Sequence, residues 1–176
     1  MRAPNKTNEE FAEVYSYISE NMQNPQMYRL MLLLTQRLGL RPMEIAGLER
    51  KWFRGDELRI PLGHSKRKAG RSLPVDAEVL EALAAHMGER EGVVFLNQRH
   101  QPFSAQGISD ALRRVYREAG QLGSAYSGRR TLASNLVERG VNILIISKVL
   151  GHSNVSTTQE YVSVTDNMMR NALSLA

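Results

Sequence analysis

Between Asn24-Pro25 and Gly39 the chain is apolar on nearly every face, with Leu30-Met31-Leu32-Leu33-Leu34 at its centre. A helix that is hydrophobic all round has to be covered on all sides, so this segment predicts a central buried helix. Pro25 suits the first helical position, where its missing amide would be unsatisfied in any case, and Gly39 ends the helix. The apolar run is far too short to cross a bilayer, which takes about twenty residues. A chain of 176 residues is long enough to wrap such a helix in a single core.

The flanking segments supply the wrapping. Thr7-Asn8-Glu9-Glu10 reads as a capping box, after which Phe11, Val14, Tyr15 and Ile18 recur at helical spacing to about Met22. Pro42 opens a short helix. Glu57 to Leu62 and Arg71 to Val75 read as two strands around a polar, Gly-containing turn, with Pro61 and Pro74 at strand ends. Asp76 caps a helix to about Met87, Val93 to Leu96 suggests a third strand, and Ser104 caps a helix through Ala119. The last third is helical: Gly128 to Arg139, Asn142 to Leu150, Ser156 to Tyr161, and a tail helix at about 165–176. Gly140 and Gly151 sit where helices end. The expected class is α+β, mainly α, with a small antiparallel sheet on one edge.

Composition narrows the chemistry. Without cysteine there is no disulfide framework, thiolate chemistry or Cys-based zinc site, which fits a reducing cytoplasm. The basic start Met1-Arg2-Ala3-Pro4-Asn5-Lys6 lacks the apolar stretch of a signal peptide, and no membrane association is expected. A net charge of +5 and a pI near 9.7 favour a polyanionic partner, of which nucleic acid is the commonest.

Four separated segments carry the informative side chains. Arg41 precedes Glu44 by one helical turn; alone, this is a surface ion pair worth a few tenths of a kcal/mol. Lys66, Arg67, Lys68 and Arg71 crowd the turn between the two strands. They read either as a solvated hairpin tip or as a loop that delivers cations to a phosphate backbone. Arg129 and Arg130 open a helix after Tyr126, where basic groups oppose the helix dipole unless an anion is meant to bind there. His152 follows an apolar helix, and Tyr161 comes nine positions later. Each of these two residues alone reads as an ordinary packed side chain.

In order, spacing and local context the segments resemble the tyrosine recombinases of the phage-integrase type. Gly39-Leu40-Arg41-Pro42-Met43-Glu44-Ile45 looks like the family's first arginine box. Ser65 to Pro74 looks like its lysine-bearing hairpin, with Lys66 eight residues before Pro74 in the expected place and Lys68 as the fallback. Gly128-Arg129-Arg130-Thr131-Leu132-Ala133 is similar to the second arginine box. Leu150 to Tyr161 is close to the family's most specific signature, which holds a histidine and the nucleophilic tyrosine. The resemblance covers about Thr7 to Val164. It departs at Tyr126, where the family usually has His, and no amino-terminal DNA-clamping domain is seen. The expectation is therefore a single catalytic domain over 1–176, working alone or belonging to a longer protein.

The resemblance implies a site-specific recombinase that cuts and rejoins DNA through a 3′-phosphotyrosyl link. Tyr161 would be the nucleophile, a phenol with an ordinary pKa of roughly 10 that needs activation. Arg41, Arg129 and His152 would hold the phosphoryl oxygens, where charge builds up. Tyr126 would add a hydrogen bond, and Lys66 would protonate the leaving 5′ oxygen. Glu44 would orient a neighbouring group without touching DNA. Arg67, Lys68, Arg71 and Arg130 would contact the DNA backbone. No cofactor or metal is expected. The partners would be double-stranded DNA, further copies of the chain in a DNA-bound tetramer coupled by the tail helix, and accessory DNA-bending proteins. Such a chain would work in the cytoplasm of a bacterium or come from a phage or prophage. Alternative readings are a DNA-binding regulator or accessory protein with a weakened centre, which Tyr126 supports, and a type IB topoisomerase-like activity.

Overall fold

The computed structural model describes residues 3–64, 70–152, 156–159, 169–170 and 173–174. It opens with α1 (Asn8–Asn21), whose capping box is complete: the Thr7 hydroxyl accepts from the Glu10 amide, and the Glu10 carboxylate accepts from the Thr7 amide. The Glu10 carboxyl is held below its usual range, first by its hydrogen bond from Lys6 and then by the one from the Thr7 amide. Phe11, Val14 and Ile18 form the buried stripe.

α2 (Pro25–Arg37) starts on Asn24, whose side chain accepts from the Met27 amide. Leu30 through Leu34 are at most 1% exposed, so every side of this turn of helix is covered. α1, α4 (Ala77–Met87), α5 (Ala105–Glu118) and α6 (Ser127–Glu138) pack around it, as the uniform apolarity of the segment predicts. α3 (Pro42–Ala46) lies on α5. Asp76 and Ser104 cap α4 and α5 through their side chains.

The sheet is antiparallel in the order β1-β2-β3, with β1 (Phe53–Arg54), β2 (Glu57–Ile60) and β3 (Arg71–Pro74). Glu57 pairs with Pro74 and Ile60 with Arg71, which sets Leu58, Ile60 and Leu73 on the core side. The third strand is therefore β1 and not Val93 to Leu96. There the adjacent Val94 and Phe95 are both fully buried. The Val94 amide bonds Leu48 while the Phe95 carbonyl accepts from Phe103, so the backbone divides between two partners and no ladder of consecutive pairs forms. Isolated bridges Glu49–Val93 and Leu96–Pro102 are what remain of the expected strand.

α7 (Ile143–Leu150) and α8 (Ser156–Gln159) complete the named helices. A second, smaller apolar cluster of Ala133, Val137, Ile146 and Leu150 joins α6 to α7. The chain start is clipped to α6 as well, since the Lys6 amide donates to Thr131 Oγ1 at 2.8 Å. Of the expected tail helix, residues 169–170 and 173–174 are described and helical; Tyr161 and the rest of the tail lie outside the described residues. Among the described residues no helix is long and apolar enough to cross a membrane.

Candidate active site

The site is organised by the end of α7. Gly151 adopts a left-handed conformation with φ of 61°, which a glycine takes without steric cost. The Gly151 amide then bonds Lys148 O, and the His152 amide bonds Ser147 O at 2.9 Å. This is the bond pair of a Schellman cap. It leaves the carbonyls of Val149, Leu150 and Gly151 without an amide of their own helix, at the negative end of its dipole.

Three guanidinium groups take these three consecutive carbonyls. Arg71 Nη1 donates to Val149 O, Arg129 Nη2 to Leu150 O at 2.8 Å, and Arg41 Nη2 to Gly151 O at 3.2 Å. The residues come from β3, α6 and the residue preceding α3, respectively, so segments far apart in the chain meet on one turn. Arg129 is 3% exposed and its Nη1 also donates to Gly39 O. Its guanidinium thus reaches away from the start of α6, where the sequence had suggested an anion seat, and toward the α7 turn. Gly128 makes that placement possible: a Cβ there would lie 2.4 Å from Thr35 Oγ1, so α6 could not approach α2 as closely.

Glu44 sits behind the cations. It is fully buried, and its Oε2 accepts from the Arg41 amide at 2.8 Å and from Arg71 Nη2 at 2.9 Å. Burial pushes the Arg71 guanidinium below its usual range and Arg41 adds to this, while Glu44 opposes it. Its neighbourhood is cationic, with Arg41 and Arg71 both facing the one Glu44 carboxylate.

His152 lies between α6 and α8. Its Nε2 is 2.8 Å from Arg129 Nη2 and its Nδ1 is 2.8 Å from Thr158 Oγ1. Tyr126 stands at the N-cap of α6 with half its surface exposed, and Arg130 one turn later is partly buried. The structure therefore brings Arg41, Glu44, Arg129 and His152 together. It corrects the expectation for Arg71, whose side chain is committed to Glu44 and Val149 inside the protein and not to a solvent-facing hairpin tip. The signal was present in the strand alternation: Arg71 shares a face with the buried Leu73, two residues on. Thr158 was missed, because a hydroxyl six residues after a histidine carries no recognisable pattern until the turn is built. Lys66, Arg67, Lys68 and Tyr161 lie outside the described residues. Among the described residues no cluster of three or more His, Asp or Glu is arranged to hold a metal ion.

Relatives share this architecture. A tyrosine recombinase XerA from Thermococcus onnurineus (strain NA1) is 29% identical over 172 residues, covering 94% of this chain and 60% of the relative. A tyrosine recombinase XerC from Bacillus subtilis (strain 168) is 32% identical over 123 residues, covering 62% of this chain and 40% of the relative. The chain thus spans about 60% of the length of a curated relative that it matches almost throughout. Among solved structures, a XerA recombinase superposes with a TM-score of 0.79 at 20% identity, over 99% of this chain and 66% of that one. The Tn1549 transposon integrase, solved in complex with circular intermediate DNA, gives 0.83 at 18% identity, over 100% of this chain and 68% of that one. These likenesses establish a shared helical fold with its small sheet. Because the model of the phage integrase family matches residues 7–168, nearly end to end, the chain belongs to that family.

Proposed function

We propose that this domain cuts and rejoins double-stranded DNA by site-specific strand transfer, with Tyr161 as nucleophile. The observation that carries the reading is the convergence of Arg41, Arg129 and His152 on the turn after α7. A guanidinium has enough N–H groups to hold a backbone carbonyl with one edge while presenting another to an anion. Fixed cations of this kind stabilise charge that grows on phosphoryl oxygens and need no rearrangement during the reaction. Glu44 and the α7 carbonyls set their direction.

In the reaction the Tyr161 phenol releases its proton to solvent, and its oxygen bonds the phosphorus as the bond to the 5′ oxygen breaks. Lys66 gives its proton to that oxygen, since an alkoxide leaves poorly. The products are a 3′-phosphotyrosyl link and a free 5′ hydroxyl; attack by another 5′ hydroxyl reverses the step without ATP. Arg67, Lys68 and Arg130 contribute to backbone binding, whereas Arg71 acts inside the protein. The DNA-bound form is a homotetramer coupled through the tail helix, assisted by DNA-bending proteins, in the cytoplasm of a bacterium or as part of a mobile element. The solved complex of the Tn1549 integrase with DNA supports the choice of partner.

The test is a suicide substrate carrying the DNA site found beside the gene. The wild-type chain should form a covalent, protease-sensitive adduct, and Tyr161→Phe should form none. An adduct of equal yield in Tyr161→Phe would overturn the assignment. Failure of the wild-type chain to form one while still binding the site would instead favour a regulator, the reading that Tyr126 supports.

A further inference from the structure

We propose that Thr158 is a positioning residue that holds His152 as its Nδ1–H tautomer, so that the nitrogen beside Arg129 accepts a hydrogen bond from it and steadies that guanidinium. The role this gives Thr158 in catalysis rests on the strand-transfer reading above; the tautomer itself does not. A guanidinium is donor-only and stays protonated in proteins. Arg129 Nη2 lies 2.8 Å from Leu150 O and 2.8 Å from His152 Nε2, which accounts for one N–H toward each. A proton on Nε2 would set two N–H groups head to head. Nε2 therefore meets Arg129 with its lone pair, the imidazole is neutral, and its ring proton is on Nδ1. At 2.8 Å from Nδ1, Thr158 Oγ1 is the acceptor for that proton. Thr158 is fully buried, so water does not replace the hydroxyl in this role.

The surrounding charges agree. Arg129 faces His152 from α6, Arg41 reaches the adjoining turn through Gly151 O, and Arg71 does so through Val149 O. Glu44, the carboxylate of this cluster, is engaged by Arg71 and by the Arg41 amide. Another positive charge on the imidazole would add to a cluster that is already cationic. The second nitrogen of a histidine sets what the first can do, and here it turns Nε2 to accept from Arg129, so that His152 acts on the phosphate pocket by fixing the aim of that guanidinium.

The experiment is 15N NMR of the full chain labelled at histidine, with His152 identified among the four histidines by the signal that His152→Gln removes. The expected wild-type spectrum at pH 8 has a protonated Nδ1 and a bare Nε2. Thr158→Ser should keep it, whereas Thr158→Val and Thr158→Ala should move the proton to Nε2 or average the two forms. A protonated Nε2 in the wild-type chain, or an unchanged Nδ1–H in a folded Val or Ala variant, would overturn the proposal; the wild-type spectrum decides it even if both variants fail to fold. On the suicide substrate, the folded Val or Ala variant should form the adduct roughly 10-fold more slowly at saturating DNA with little change in the half-saturating DNA concentration, and Thr158→Ser should restore the rate. Cleavage at the wild-type rate in these variants would remove the catalytic role. A wild-type chain that forms no adduct would remove the strand-transfer reading and leave the tautomer result standing.

Discussion

The body around α2 and the α6–α7 unit are held together differently. The first buries leucine, methionine and aromatic side chains from α1, α2, α4, α5 and the sheet in one continuous cluster. The second has its own small cluster of Ala133, Val137, Ile146 and Leu150, while Leu144 and Ile145 on α7 stay more than half exposed. Arg41 and Glu44 belong to the body, and Arg129 and His152 to the smaller unit. Where apolar burial is thin, polar arms cross: Arg41 and Arg71 reach the α7 turn, and Arg129 reaches back to Gly39 O. The groups proposed to bind phosphate are thus also the groups that fasten the two regions, so stability and chemistry are coupled at the turn.

Arg129→Ala tests that coupling most severely. It strands the buried carbonyls of Gly39 and Leu150, at about 1–3 kcal/mol each, and strand cleavage should fall roughly 10²–10³-fold. Thermal melting and adduct kinetics read both effects; a variant that melts like the wild type would show that the arginine does not fasten the regions. Glu44→Gln should come next, costing about 3–5 kcal/mol in urea denaturation because the buried Arg71 loses its counter-charge. An unchanged urea midpoint would mean the pair is not needed.

Apolar truncations separate the regions more finely. Leu34→Ala, at a fully buried site in α2, should cost about 2–5 kcal/mol and lower protection from amide exchange throughout the chain. Ile146→Val should cost about 1 kcal/mol and speed exchange mainly in α7. Equal spread of the two effects would argue against a distinct α6–α7 unit.

The smallest effect is in the body. Burial lowers the pKa of His86 from the ordinary value of 6.5, and its ring stacks on Phe95 while Nε2 meets Val94 O. Because the folded state disfavours the cation, the unfolded chain binds the proton more readily below pH 6.5. The contribution of His86 is thus complete above that pH and is lost as pH falls toward the lowered value. His86→Gln should flatten the drop in urea stability between neutral and mildly acidic pH; the same slope in both proteins would contradict it.

Much of this molecule is legible without coordinates because its signals are local. The capping boxes and caps at Thr7, Asn24, Asp76, Ser104 and Asn142 act over two or three residues. The uniform apolarity of α2 states its burial directly, and Gly151 marks the end of α7. The third strand was misplaced because β-pairing is decided by partners elsewhere: β1 was available across the tight Asp56 turn, whereas Val94 and Phe95 were drawn to two different neighbours.

By itself the sequence determined where helices start and stop, which one lies at the centre, and which residue types stand in which order. Only the tertiary structure decided where the long side chains point. Arg71 and Arg129 carry their charge several bonds from the backbone, and their direction depends on carbonyls 78 and 21 residues away. The same holds for His152, whose two ring nitrogens meet Arg129 of α6 and Thr158 of α8. Backbone conformation follows from neighbours in the chain; the aim of a guanidinium or an imidazole follows from neighbours in space.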